Sequence, residues 1–160
     1  MIQKERPDSD VTATFLDIES KIRNLLQGQR FSVLCTQGDG LAYGSLVAYA
    51  YTDDLKNFFF TTPTATRKYM LLSQSPNVSV VVDTRSDYSH DMDKIEAVTI
   101  IGTAKELKSE KELSLGQKML WERHPYMSDF LKSENTALFR IEIARYYYVT
   151  RFQQVSQWSP

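Results

Sequence analysis

The segment "FFFTTPTATRKYMLL", residues 58–72, sets three phenylalanines against four threonines, a proline and an adjacent Arg67–Lys68 pair. One reading is a strand that ends, a turn, and a capped helix facing solvent. The other is an anion site. A helix N-terminus carries unpaired N–H groups and a partial positive charge. Arg67 can grip two phosphate oxygens in a fork, and Lys68 adds a point charge. Thr61, Thr62, Thr64 and Thr66 could add hydroxyl donors. Pro63 suits the first turn of a helix, where its missing N–H costs nothing, with Thr62 or Thr64 as the cap. These residues leave both readings open and do not say which phosphorylated ligand would bind.

Little else in the chain carries chemistry of its own. Cys35 is the only cysteine, so an internal disulfide and a cysteine-based zinc cluster are both impossible. Its apolar setting, "FSVLC", predicts a buried packing thiol. His90 lies in "RSDYSHDMDK", a polar surface loop, and His124 stands before a proline at a helix break in "WERHPYMSDF", a structural position. No Ser-His-Asp or Cys-His pairing and no metal-ligand spacing can be assembled from these. If the chain catalyses a reaction, a bound cofactor carries the chemistry.

The 160 residues, 42% hydrophobic and 24% charged, predict one soluble domain with a real core. The net charge of -1 gives no general pull toward nucleic acid or anionic lipid, so any anion site must be local. The polar start "MIQKERPDSD" and the lack of a bilayer-length apolar run predict a cytoplasmic protein without a membrane partner. Residues 1–12 read as a loose arm and residues 13–160 as a single domain.

The elements that must position the Thr-Arg-Lys turn follow from hydrophobic period. Phe15, Ile18, Ile22, Leu25 and Leu26 recur at helical spacing, with Thr14 as a possible cap and Gly28 as the stop. "RFSVLCTQ" and "LAYGSLVAYAYT" read as strands joined by a "GDG" hairpin turn. "KNFFFTT", "PNVSVVVD" and "KIEAVTIIGTAKELK" are further strands, the last with Gly102 as a bulge or point of close approach. Between the first two of these, "TATRKYMLLSQS" is a short helix ended by Ser75-Pro76-Asn77. Ser109 and Glu112 open a second helix as a capping box, a shorter one is expected after Pro125, and Trp121 packs in the core or against a partner. "TALFRIEI" and "ARYYYVTRFQQV" are the last two strands. The mixture of Arg145, Tyr146, Tyr147, Tyr148, Arg151 and Phe152 reflects alternation along a strand, not a nucleic-acid platform. Short connections favour a mainly β fold with flanking helices, its antiparallel strands closed into a small barrel.

This order of elements, a Gly-Ser strand, an aromatic strand, the Thr-Arg-Lys helix and the "NVSVVVD" strand, resembles the FMN-binding split-barrel family of pyridoxamine 5'-phosphate oxidase-like proteins. The likeness covers residues 14–107 well and the last two strands more loosely. It implies a split β-barrel, a homodimer, and FMN in a cleft between the subunits. It also implies that Thr61, Thr62, Thr66, Arg67 and Lys68 contact the FMN phosphate. Ser45, Leu46 and Val47 would run past the isoalloxazine ring. Trp158, in a tail expected to be mobile, could fold over the partner's flavin.

The resemblance implies a flavin-dependent oxidoreductase acting on a small planar acceptor. The alternatives are a non-catalytic flavin-binding or sensing protein, a haem-binding protein of the same fold, and a protein using the deazaflavin relative of FMN. The C-terminus, "YYYVTRFQQVSQWSP", has Arg151 and Trp158 but lacks the family's Arg-x-His grip, so vitamin B6 oxidation is not expected. "RHPYMSDFL" is similar to segments of the family's haem-handling branch, whose iron-binding histidine near the C-terminus has no counterpart here.

Overall fold

The computed structural model describes residues 9–151 and 154–160. Helix α1 (Ser9–Gly28) carries the expected stripe at Ile18, Ile22, Leu25 and Leu26, with Ile22 and Leu26 fully buried; the side chain of Phe15 lies outside those described. It begins before Thr14, which lies inside the helix and does not cap it. The ordered domain therefore reaches into the expected arm, of which residues 1–8 lie outside the described residues. Asp39 and Gly40 both have positive φ, 52° and 74°. That is the geometry of a two-residue hairpin turn, and it joins β1 (Phe31–Gly38) to β2 (Leu41–Tyr51).

The remaining elements are β3 (Asn57–Pro63), α2 (Arg67–Gln74), β4 (Asn77–Asp83), β5 (Glu96–Glu106), α3 (Glu110–Arg123), α4 (Ser128–Leu131), β6 (Thr136–Thr150) and β7 (Gln154–Trp158). The strands pair antiparallel in the order β3-β2-β1-β4-β5-β6, and β3 pairs with β6 to close a six-stranded barrel. The two strands expected near the end are one. No glycine or proline interrupts Thr136–Thr150, and the chain turns only at Arg151, at φ 47°. The expected free tail instead forms β7, which extends the β6 edge beyond β3; Phe152 lies outside the described residues. Gly102 marks the register shift between β5 and β6, where a Cβ would meet the backbone oxygen of Glu142.

Alternation along the strands makes two apolar layers. Leu34, Phe58, Phe60, Val80, Ile100 and Ile141 fill the barrel and are capped by α1. Phe59, Ala50 and Leu138 point outward and are covered by Leu120 of α3 and Leu131 of α4. α3 opens on its capping box: Ser109 Oγ accepts from Glu112 N–H at 3.3 Å and donates to Glu112 Oε2 at 2.9 Å. Its Trp121 faces outward, 51% exposed, because Gly116 and Leu120 take the inward side. Among the described residues no helix lies over the opposite wall of the barrel. There Leu46 is 68% exposed, Phe31 and Ile101 are exposed as well, and Cys35 is half-buried, contrary to expectation, since Leu34 and Thr36 take the inward positions.

Candidate functional site

The barrel is open at one seam. β2 pairs with β3 only from Tyr49↔Phe60 to Tyr51↔Phe58. Continuing that register would set Val47 against Thr62, Ser45 against Thr64 and Tyr43 against Thr66, yet no such pairs form. β3 has turned away into α2, while β2 stays bound to β1 as far as Leu41. A slit results, walled on one side by the free edge of β2 and on the other by the end of β3 and the start of α2. Among the described residues the backbone N–H and C=O groups on that edge of β2 have no strand partner, which is unusual for a strand interior. Ser45 Oγ is buried there without a hydrogen-bond partner.

The far wall differs in detail from the sequence expectation. Pro63 is the last residue of β3, paired with Thr136, and does not open a helix. Thr64 N–H continues toward β6 by donating to Asn135 O at 2.9 Å. α2 therefore starts at Arg67, and its cap is Thr66, not Thr62 or Thr64. Thr66 Oγ1 accepts from Tyr69 N–H at 3.3 Å and donates to Pro63 O at 2.9 Å. Thr62, wholly buried, brings its hydroxyl within 3.0 Å of Thr66 Oγ1. Both hydroxyls fasten the turn. Thr61 is on the other face of β3, where its hydroxyl donates to Ala137 O at 2.9 Å, so it stands apart from the other four expected phosphate residues.

What this turn presents to the slit is charge and backbone. Tyr69 and Met70 N–H groups are taken up by Thr66, leaving those of Arg67 and Lys68, the first two of the helix, without an intrahelical acceptor. The Arg67 guanidinium lies over the Tyr43 ring, 5.6 Å from its centroid, and so reaches across to β2. Tyr43 was not singled out in the sequence; its place two residues before Ser45, on the same strand face, was the available signal. Among the described residues neither Arg67 nor Lys68 has a carboxylate within 4.0 Å. Lys68 is half-buried, and that burial lowers its pKa by disfavouring the ammonium form. Two cations beside unpaired N–H groups are the donor set that an anion requires.

Leu46 and Val47 part company across the sheet. Val47 is buried in the barrel with Ser45 on its inward side, while Leu46 projects from the outer wall. Trp158 packs on Tyr146 of its own chain, ring centroids 5.5 Å apart. Tyr146 stands ten residues along β6 from Thr136, the partner of Pro63, about 33 Å of strand. Trp158 is thus remote from the slit of its own protomer. His90 is exposed. His124 is fully buried, with Nε2 2.8 Å from Tyr49 O and Nδ1 3.0 Å from Tyr126 Oη. Both ring nitrogens are occupied.

Among solved structures of similar fold is a haem-binding protein from Mycobacterium smegmatis, with TM-score 0.75 and 14% identity over 86% of this chain. The chain spans only 55% of that protein's length. HutZ, a haem storage protein from Vibrio cholerae, gives TM-score 0.70 and 18% identity over 83% of this chain and 94% of its own. An FAD-binding protein from Mesorhizobium loti gives TM-score 0.64 and 21% identity, covering 81% and 91%. At these identities the likeness concerns the fold. No protein of curated function matches the sequence. A family model described as pyridoxamine 5'-phosphate oxidase matches residues 18–150, which takes in every barrel strand, the slit and α2. With the six-stranded antiparallel split barrel, that match means that the chain belongs to the pyridoxamine 5'-phosphate oxidase family.

Proposed function

We propose that the chain binds FMN in the slit, as a homodimer, and acts as a flavin-dependent oxidoreductase on a small planar acceptor. The observation that carries the reading is the junction of β3 and α2. It sets a half-buried ammonium, a guanidinium and two free N–H groups together, with no carboxylate among the described residues to neutralise them. The donor set fits a phosphate dianion. The free β2 edge and the unpartnered Ser45 Oγ fit the polar rim of a flavin ring, which needs neighbouring N–H and C=O groups. The outer wall of β1 and β2, where Phe31 and Leu46 are exposed, supports the dimer, because it is an apolar face on the slit-forming strand and its neighbour.

Bound flavin would supply one- or two-electron transfer. The chain's own part is to hold and orient. Arg67 and Lys68 anchor the phosphate, Thr66 fixes the helix start that aims them, and Thr62 fastens Thr66 to the strand. Ser45 and the β2 backbone orient the ring edge. An anion beside Lys68 offsets the burial that disfavours its ammonium, so binding stabilises the charged form. Trp158 would have to reach a flavin from the partner protomer.

Titration of the apoprotein with FMN and with riboflavin tests the reading. FMN should bind far more tightly, since only it carries the phosphate; equal affinities would contradict the anchor. Turnover of a nicotinamide donor with an artificial acceptor separates an enzyme from a flavin-binding sensor. Haem finds less support in this chain. His124 is enclosed with both nitrogens engaged, and the C-terminal strand contains no histidine.

A further inference from the structure

At the far end of β2 from the slit, a cavity of about 740 Å³ opens between the last turns of α1 and α3. Its walls include Arg23, Arg30, Arg123, Tyr51, Asp53 and Glu122. Tyr51 lies eight residues from Tyr43 along the strand, about 26 Å away. The place is thus separate from the proposed flavin slit.

Three guanidiniums meet here, and each spends part of its donor set on backbone carbonyls. Arg123 Nη2 donates to Leu26 O and Gln29 O at the end of α1, and Arg30 Nη1 donates to Arg123 O at 2.6 Å. Arg23 donates to Asp53 O at 2.7 Å and pairs with Glu19 at 2.8 Å. These braces join the helix ends to the barrel, but they use few of the five N–H groups each arginine carries. Arg30 is left with most of its fork. Arg123 Nε is buried with no partner, while its guanidinium is held over Tyr49 and Tyr51 at 5.0 and 5.2 Å.

The carboxylates do not cancel this charge. Asp53 and Glu122 line the same cavity, yet among the described residues neither pairs with Arg30 or Arg123; Glu122 lies 3.8 Å from Lys118 instead. With the Arg23–Glu19 and Glu122–Lys118 pairs set aside as neutral, Arg30 and Arg123 face Asp53 alone, which leaves the lining with one net positive charge. His124, next in sequence to Arg123, feels this field. Its pKa is lowered first by burial and then also by the Arg123 and Arg30 charges. A brace would be complete with one arginine at each helix end. The surplus donors, the aromatic wall and the open volume together are those of a receptor for an oxyanion.

We propose that this cavity is a second ligand site, which takes a small molecule bearing phosphate or carboxylate groups between Arg30 and Arg123 beside Tyr51. The probes are pyrophosphate and citrate, titrated by calorimetry into the Arg67→Ala/Lys68→Ala variant, so that the slit does not contribute. Comparing the two probes tells a phosphate site from a carboxylate site. At least one should bind below about 1 mM and weaken as salt is raised from roughly 50 to 150 mM. Arg30→Gln keeps a donor for the Arg123 carbonyl but removes the charge, and should weaken binding about tenfold. Lys108→Gln, far out on the surface, should leave it unchanged. No heat of binding up to about 10 mM of either probe, or equal affinity in Arg30→Gln, overturns the proposal.

Discussion

Removing Arg67 and Lys68 together is the sharpest perturbation of the slit. Lys68 is half-buried, and the penalty that lowers its pKa is one a phosphate would relieve. Arg67 is more exposed and already rests on Tyr43, so its contribution is discounted for solvent. Charge-assisted hydrogen bonds are worth about 1.5–3 kcal/mol each when sheltered, so the discounted pair comes to about 3 kcal/mol. That corresponds to roughly a hundredfold loss of FMN affinity. The free N–H groups of the first α2 turn remain, so FMN should still bind somewhat better than riboflavin. Quenching of flavin fluorescence on titration measures both ligands, and thermal melting checks that the fold survives. Riboflavin affinity should not change. If FMN affinity in the double variant stays within about twofold of the parent, or riboflavin loses as much as FMN, the anion receptor is not where the cofactor binds.

Other outcomes follow from the packing. His124 is buried in its neutral form with a depressed pKa, whereas in the unfolded chain it titrates near about 6.5. Below that pH the unfolded state takes up a proton that the folded state refuses. Its contribution is therefore present above about pH 6.5 and lost as pH falls toward the folded-state pKa. The melting temperature should drop between about pH 7 and 5, and His124→Gln should flatten that slope; an unchanged slope assigns the pH dependence elsewhere. Gly102→Ala forces a Cβ against Glu142 O and Ile141 Cγ2 and should cost about 2–4 kcal/mol in denaturant unfolding, whereas a loss near zero would mean the bulge can yield. Leu46→Glu places a charge on the wall assigned to the proposed homodimer, so light scattering should read a dimer for the parent and a monomer for the variant while the barrel stays folded. A variant that remains dimeric moves the interface off this wall.

Much of the barrel was legible in the chain because it is written in local rules. The Ile18–Leu26 stripe, the Asp39–Gly40 turn, the Ser109–Glu112 capping box and the alternation from Tyr146 to Val149 each follow from period or turn chemistry among near neighbours. Charge composition likewise required that any anion site be local, and "TATRK" was the candidate it offered. The roles within that segment were not legible. Pro63 is held in β3 by pairing with Thr136, seventy-three residues later, and this long-range ladder moves the helix start to Arg67 and the cap to Thr66. The same ladder turns Thr61 away from Thr62 and delivers its hydroxyl to Ala137 O. Tertiary structure alone also made the slit, since β2 and β3 separate only because β3 must close the barrel on β6 while β2 remains on β1. Sequence sets which residues can be cationic, apolar or extended. Which of them meet depends on pairings between strands far apart in the chain, and those are fixed by how the whole sheet closes.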